Sequence, residues 1–320
     1  MIPTPRRLSA IPVAITAILA LLVSPSAALS PLLTRASAYD CATVPSTVAA
    51  PSPGAVLVTT ARLDRAVVTY RAVVASSTTV PSPGLGLPYP GTLRVSEGGH
   101  STTLPAPSGF AGSAVVQLCA LADGARPAVL LGGYSGGAHC CFLSTLYAPS
   151  GRGYRVVLAA SIQSVRPAVR YDPNEGMVPA ISDGALVLES ADGTFAYEFG
   201  CYACTPTPLT LYQLRGTRLV EVARRYPALM RANRASLALA LRQSESPANA
   251  GSIFGVLAAY VAESCTLGSG RGAWALVTRL ERRGLLGDAA YHQAAFVTRG
   301  SYVPTLRRVL LQRGYCRGVI

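Results

Sequence analysis

Apolar and polar positions between about residues 55 and 223 form short β-branched runs that are separated by Gly, Asp and Pro turns. The pattern predicts six antiparallel hairpins: Ala55–Leu63 with Ala66–Ala75, Thr92–Ser96 with Ser101–Leu104, Ser113–Leu121 with Ala128–Leu131, Phe142–Tyr147 with Tyr154–Ala160, Ala185–Glu189 with Phe195–Phe199, and Leu209–Leu214 with Leu219–Ala223. Residues 42–54 and 79–91 are rich in Pro, Ser and Gly and are predicted to be loops. A parallel sheet would need helical crossovers, for which the connections are too short.

The apolar spacing becomes helical from about Pro227 onwards. Five segments are predicted to be helices: Pro227–Gln243, Ser252–Cys265, Ala273–Arg283, Asp288 to Thr298, and Pro304–Arg313. Gly284 and Gly314 follow two of them and are typical helix stops. The predicted fold is therefore mainly β, built of antiparallel hairpins in a propeller-like or sandwich-like arrangement. Residues 39–226 form this β domain, and a smaller α-helical region, 227–320, follows it.

The first 38 residues have the organisation of a secretory signal peptide. Arg6-Arg7 precede an apolar segment from Ile11 to Val23, which is too short to span a bilayer. An A-x-A site ends at Ala38 and predicts cleavage before Tyr39, with a second candidate site at residues 26–28. We expect a secreted or envelope-associated protein with no transmembrane segment in the mature chain.

Charge divides the mature chain into two unequal parts. Residues 39–214 carry nine Arg and ten Asp or Glu, a net charge of −1, whereas residues 215–320 carry sixteen Arg and five Asp or Glu, a net charge of +11. The basic part is suited to an anionic envelope component. Its arginines are not interleaved with stacking aromatic residues, so no nucleic acid partner is expected.

All eight cysteines lie in the predicted mature chain, where an even number indicates a disulfide framework. Cys265 and Cys316 are the only two cysteines in the basic part and are predicted to pair. Cys41 and Cys119 are a candidate pair for the N-terminal part. Four cysteines then remain: Cys140, Cys141, Cys201 and Cys204. Neighbouring side chains on a strand point to opposite faces, so Cys140 and Cys141 are expected to have different partners.

Two segments resemble the repeats of a known group of proteins. Residues 123–131 with the Ser-Gly-Gly-Ala-His-Cys-Cys motif at 135–141, and then residues 183–197, are similar to exported bacterial proteins with FG-GAP or VCBS-like repeats. The resemblance covers roughly residues 92–226 and implies a β-propeller fold related to the integrin α-chain, with no known function. In that family, alternate aspartates of the repeat loop hold Ca²⁺. Only one carboxylate of three remains in each loop here, Asp123 and Asp183, so turns without calcium are expected.

An α/β-hydrolase is the alternative hypothesis. Gly-Tyr-Ser-Gly-Gly at residues 133–137 matches the nucleophile elbow of serine esterases, with Ser135 as nucleophile, His292 as base and Asp192 (or Asp172 or Asp183) as acid. An elbow must lead into a helix, and residues 142–147 read as a strand, which favours a non-catalytic protein.

A cysteine nucleophile and a zinc site are weaker hypotheses. His139 and Cys140 are neighbours, and their side chains diverge on a strand. Cys201-x-x-Cys204 has the spacing of zinc ligands and could combine with His139, but exported cysteines more often form disulfides. His100 is placed in a turn and given no role. The sequence thus predicts an exported, non-catalytic binding or structural protein without a metal or cofactor.

Overall fold

The computed structural model describes residues 41–47, 56–63, 65–73, 91–105, 113–120, 126–134, 142–159, 176–182, 185–196, 198–201, 205–245, 251–295, 297 and 299–320. The predicted signal peptide lies outside this part. The strands are β1 (Cys41–Thr47), β2 (Val56–Leu63), β3 (Ala66–Val73), β4 (Gly91–Glu97), β5 (His100–Pro105), β6 (Ser113–Cys119), β7 (Ala128–Tyr134), β8 (Phe142–Ser150), β9 (Gly153–Ala159), β10 (Val178–Ser182), β11 (Ala185–Ala191), β12 (Leu209–Arg215) and β13 (Arg218–Glu221). The helices are α1 (Pro227–Ser244), α2 (Ile253–Thr266), α3 (Gly270–Arg282), α4 (Asp288–Ala295) and α5 (Tyr302–Gln312). The described fold is therefore mainly β and antiparallel, with helices at its C-terminal end, as the sequence predicts.

The strands form three antiparallel meanders that follow one another along the chain. The first is β2-β3-β4-β5, the second is β6-β7-β8-β9 with β1 added beside β6, and the third is β10-β11-β12-β13. Short connections join several neighbouring strands, as between Leu63 and Ala66, which are paired in register. Such connections allow antiparallel pairing but not a crossover.

The three sheets are stacked face to face. One apolar cluster joins the first sheet to the second through residues such as Val68, Leu93, Leu131 and Tyr147. A second cluster joins the other face of the second sheet to the third through Leu130, Leu188 and Tyr212. The second sheet is thus buried on both faces, which explains why β7 carries an unbroken apolar run rather than an alternating one.

The stack ends differently on its two sides. The outer face of the first sheet exposes polar side chains, among them Arg62, Arg94 and Thr103. The outer face of the third sheet instead packs against the start of α1, where Met230 belongs to one buried apolar cluster with Val187 and Leu211. The helices therefore cover one side of the β stack.

Helix α2 is the centre of the helical region. It is buried over almost its whole length, and the other helices surround it in one large apolar cluster. Gly284 and Gly314 adopt the left-handed conformation, with φ of 74° and 76°, after α3 and α5, as predicted for helix stops. Among the described residues, no helix has the length and apolar character that a membrane crossing requires.

Three local predictions are wrong. Residues 41–47 form strand β1 rather than a loop, because register pairing and a disulfide hold them against β6. Strand β10 lies where no strand was predicted. His100 is the first residue of β5, opposite Glu97, and the turn consists of Gly98 and Gly99.

The predicted strand Phe195–Phe199 is also absent. Residues 193–195 form a 3-10 helix, and the N–H of Phe199 donates to the carbonyl of Phe195. Both rings enter the helical core, where Phe195 meets Tyr315 and Phe199 meets Tyr302, each at 5.8 Å between centroids. Aromatic residues four positions apart thus anchor a helical turn rather than one face of a strand.

Candidate functional site

The segment around Ser135 does not have the structural setting of a nucleophile elbow. Ser135 and residues 136–141 lie outside the described residues, but the elements on both sides are described. Gly133 and Tyr134 belong to β7 and pair with Leu143 and Phe142 of β8. A nucleophile elbow leads from a strand into a helix. Here the next described element is the antiparallel strand β8, a setting that disfavours the hydrolase hypothesis.

The other two residues of the hypothetical triad have different partners. Asp192 is fully buried and accepts hydrogen bonds from Nε and Nη2 of Arg313, at 3.0 Å each, and from the Tyr315 hydroxyl at 3.1 Å. His292 lies in α4, and its Nε2 donates to the carbonyl of Gly300 at 2.6 Å. No described hydrogen bond joins Asp192 to His292. Asp192 instead anchors the C-terminal segment to the β region.

Both cysteine pairs singled out from the sequence are present. Cys41 is bonded to Cys119 and Cys265 to Cys316, with Cα–Cα distances of 4.1 Å and 5.1 Å. Cys201 is also disulfide-bonded, so its sulfur is not available as a zinc ligand. Cys140, Cys141 and Cys204 lie outside the described residues.

A cavity of about 420 Å³ lies beside the Cys265–Cys316 disulfide. We call it the basic pocket, because Arg224, Arg231 and Arg317 line it and none of the described residues that line it is acidic. Its size falls within the range of roughly 300 to 1,000 Å³ that is common for small-molecule sites.

Three separate elements bring these arginines together. Arg224 lies in a 3-10 turn just before α1. Arg231 lies four residues after Pro227 in α1, so the two residues share the face that lines the pocket. Arg317 directly follows Cys316, and the disulfide holds it beside the end of α2. The disulfide and the packing of α1 thus create the pocket.

The three guanidiniums have no ion-pair partner within the described part of the chain. All three residues are exposed to solvent. The ion pairs between described residues are made by other arginines: Arg126, Arg283, Arg308 and Arg313. The pocket also borders the first turn of α1, which contains no acidic residue and has no side-chain cap. The positive charge at this place is therefore not neutralised by nearby side chains.

The remaining wall of the pocket is mostly apolar. Leu267, Val319 and Pro227 line it together with the Cys265 side of the disulfide. Gly268, with φ of 79°, ends α2 at the pocket. At Gly270 a Cβ atom would lie 2.5 Å from the Cys265 sulfur and 2.9 Å from Val319, so only glycine allows the C-terminal segment to approach this closely.

A buried carboxyl group lies on α2 one turn before the pocket. Glu263 is 0 % exposed, and its Oε1 accepts hydrogen bonds from the Leu209 N–H at 2.9 Å and from Asn233 at 2.5 Å. Its Oε2 has no hydrogen-bond partner. Burial raises the pKa of Glu263 to about 7, against the lowering effect of these two hydrogen bonds.

Sequence reasoning located the charge but not the pocket. It found the basic part of the chain and predicted the Cys265–Cys316 bond. The neighbouring pairs Arg282-Arg283 and Arg307-Arg308 do not line the pocket, and all four residues are exposed in the structure. The pocket arginines are spread over 94 positions, and only the pairing of Cys316 with Cys265 pointed to their proximity.

Comparison with known proteins gives one distant relative. The chain is 29 % identical over 98 residues to the uncharacterized protein y4bJ of Sinorhizobium fredii (strain NBRC 101917 / NGR234). The match covers 31 % of this chain and 14 % of that protein, so the chain spans only a small part of its relative. No family model matches the chain. No solved structure matches it either.

Proposed function

We propose that the chain is an exported, non-catalytic binding protein that holds an anionic ligand of the cell envelope or the extracellular space in the basic pocket. The observation that carries this proposal is that Arg224, Arg231 and Arg317 line one cavity and that none of them has an ion-pair partner among the described residues. Guanidiniums form strong, charge-assisted hydrogen bonds with anionic oxygens. Tyr315, the aromatic residue of the lining, is buried and bonded to Asp192, which disfavours base stacking and hence nucleic acid.

Two observations support export. The disulfides indicate that the chain folds in an oxidising environment. Cleavage before Tyr39 would leave a new N-terminus two residues ahead of Cys41, and the bond to Cys119 would tie this end to the second sheet. An end fixed in this way is protected from fraying.

The β region is proposed to be an open, propeller-like stack related to FG-GAP repeats. Meanders that are consecutive in the sequence pack on each other. The last strand of each meander lies beside the last strand of the next, since β9 contacts both β5 and β13. Blades of a propeller have the same arrangement. In the sequence, Asp123 falls between β6 and β7, and Asp183 falls between β10 and β11, which are the first two strands of successive meanders. A two-sheet sandwich would not bury both faces of the second sheet.

The proposed function is tested by comparing two variants of equal net charge. The pocket variant replaces Arg224, Arg231 and Arg317 by Gln, and the surface variant replaces Arg242, Arg282 and Arg307, which are exposed and do not line the pocket. Binding of phenyl phosphate, benzenesulfonate and benzoate is measured by calorimetry. We expect the surface variant to bind like the wild type and the pocket variant to lose binding of every anion. Equal losses in both variants would show a diffuse charge effect and contradict the proposal.

A further inference from the structure

The geometry points to a phosphate monoester as the ligand of the basic pocket, an inference that rests on the proposed function and makes it more specific. A carboxylate has two oxygen atoms, and a single guanidinium can satisfy both of them. The pocket presents three guanidiniums from three elements: the 3-10 turn with Arg224, helix α1 with Arg231, and the C-terminal segment with Arg317. A terminal phosphoryl group offers three oxygens, one for each guanidinium.

The charge of the pocket agrees with that of a phosphate monoester. Three cationic side chains face the cavity, and no described residue of its lining is acidic. A phosphate monoester carries about −1.5 to −2 charges at neutral pH, whereas a carboxylate or a sulfonate carries one. The first turn of α1 and the C-terminal end of α2 both border the cavity, so the partial charges of these two helix ends oppose each other. The cavity and its arginines therefore define the site.

The apolar wall indicates what the phosphate is attached to. A bare phosphate ion would leave Leu267, Val319 and Pro227 without a contact in a cavity of about 420 Å³. An ester with an apolar body would cover these side chains while its phosphoryl group meets the arginines. A phosphoryl group next to an apolar body occurs both in soluble phosphate esters and in lipids with a terminal phosphate. The inference concerns this combination, which the two sources share.

The test is a calorimetric titration at pH 8 with three ligands that share a phenyl ring: phenyl phosphate, benzenesulfonate and benzoate. We expect phenyl phosphate to bind at least ten-fold more tightly than benzoate, with benzenesulfonate between them. Arg231→Gln should weaken phenyl phosphate at least ten-fold. Arg242→Gln, on the same helix but outside the pocket, should change it less than two-fold. Arg317→Gln is an independent variant on a different element, should Arg231→Gln fail to fold.

The two sources are separated with vesicles of phosphatidylcholine, with or without one-fifth phosphatidic acid. Binding to phosphatidic acid vesicles that Arg231→Gln abolishes indicates a lipid source, and binding of phenyl phosphate alone indicates a soluble ester. If benzoate and phenyl phosphate bind equally and Arg231→Gln weakens both, the phosphate inference is overturned and the anion site stands. If no anion binds, or if neither pocket variant weakens binding, both proposals are overturned.

Discussion

Arg126 of the β region and the arginines of the basic pocket differ in whether they form ion pairs. In the β region, Arg126 bonds Glu97 at 2.6 Å between Nε and Oε2, donates to the carbonyl of Gly151, and lies 4.8 Å over the ring of Tyr154. It is a structural residue that ties the first meander to the second. The three arginines of the basic pocket, which lie in the helical region or just before it, have no ion-pair partner in the part of the chain that the structure describes. The net charge of a region therefore does not identify the proposed binding site. Arginines that line a cavity without an ion-pair partner identify it better.

The two regions meet at two buried carboxyl groups that differ in the same way. Asp192 faces the guanidinium of Arg313, so its charge is compensated. Glu263 has only neutral hydrogen-bond donors on Oε1 and none on Oε2. A buried charge is stabilising only when it is paired. We therefore expect the Asp192–Arg313 pair to hold the two regions together. Ionisation of Glu263 is expected to weaken the junction between them.

Loss of the Cys265–Cys316 bond is expected to have the largest effect. Replacing both residues by Ala removes a cross-link over 51 positions, which contributes about 4 kcal/mol through the unfolded state. Binding of phenyl phosphate should also be lost, because Arg317 is no longer held at α2. The matched control is Cys41→Ala with Cys119→Ala, which removes a similar cross-link but should leave binding intact. Urea unfolding and calorimetry measure the two effects, and loss of binding in the control alone would refute the assignment.

Asp192→Asn should be the next most harmful change. It keeps the shape of the side chain but removes the charge opposite Arg313, and breaking a buried pair costs about 3 kcal/mol. The exposed pair Arg283–Glu245 provides a control, since Glu245→Gln should cost less than about 1 kcal/mol. Both values come from urea unfolding at pH 7. Equal costs would show that Asp192 is not a junction between the regions.

Glu263→Gln is expected to stabilise the protein, and only at high pH. Burial raises the pKa of Glu263 to about 7 in the folded state, above its ordinary value of 4.5 in the unfolded chain. Between these two values the folded protein binds more protons, so stability falls as the pH rises through this range. The variant should be more stable than the wild type by about 3 kcal/mol at pH 8, because each pKa unit between 4.5 and about 7 corresponds to about 1.4 kcal/mol. The two should be equal at pH 4, and a difference independent of pH would contradict the assigned pKa.

Ser135→Ala is expected to have the smallest effect. Because β8 follows the motif as a strand, no serine nucleophile is expected there. Hydrolysis of p-nitrophenyl esters should be the same for the variant and the wild type, at the level of the buffer. Stoichiometric labelling of Ser135 by a phosphonate inhibitor would restore the hydrolase hypothesis.

The two regions also differ in how far the sequence predicts them. Turn residues such as Gly98-Gly99 and Gly216, and helix stops such as Gly314, act locally, so the meanders and helices follow from the sequence. Strand β1 could not be found in this way, because it is fixed by pairing with β6 and by the bond from Cys41 to Cys119. The local sequence does not predict an element whose structure depends on contacts with residues far away in the sequence.

The basic pocket could not be predicted from the sequence either, because contacts between distant residues form it. Arg224 and Arg317 are brought together by the Cys265–Cys316 bond and by the packing of α1 on the third sheet. The bond itself was predictable, because no other cysteine lies in the basic part. The position of α1 was not predictable, since it depends on Met230 joining an apolar cluster with Val187 and Leu211 of the third sheet. Sequence reasoning therefore reached the charged region and one of the two constraints that shape its site.

A crystal structure of the protein with phenyl phosphate tests the central claim most directly. The account predicts the phosphoryl group in the basic pocket, with its oxygens about 2.7 to 2.9 Å from guanidinium nitrogens of Arg224, Arg231 and Arg317. The phenyl ring should lie against Leu267 and Val319. Phosphate bound instead at the exposed pair Arg282-Arg283, with the pocket empty, would contradict the account.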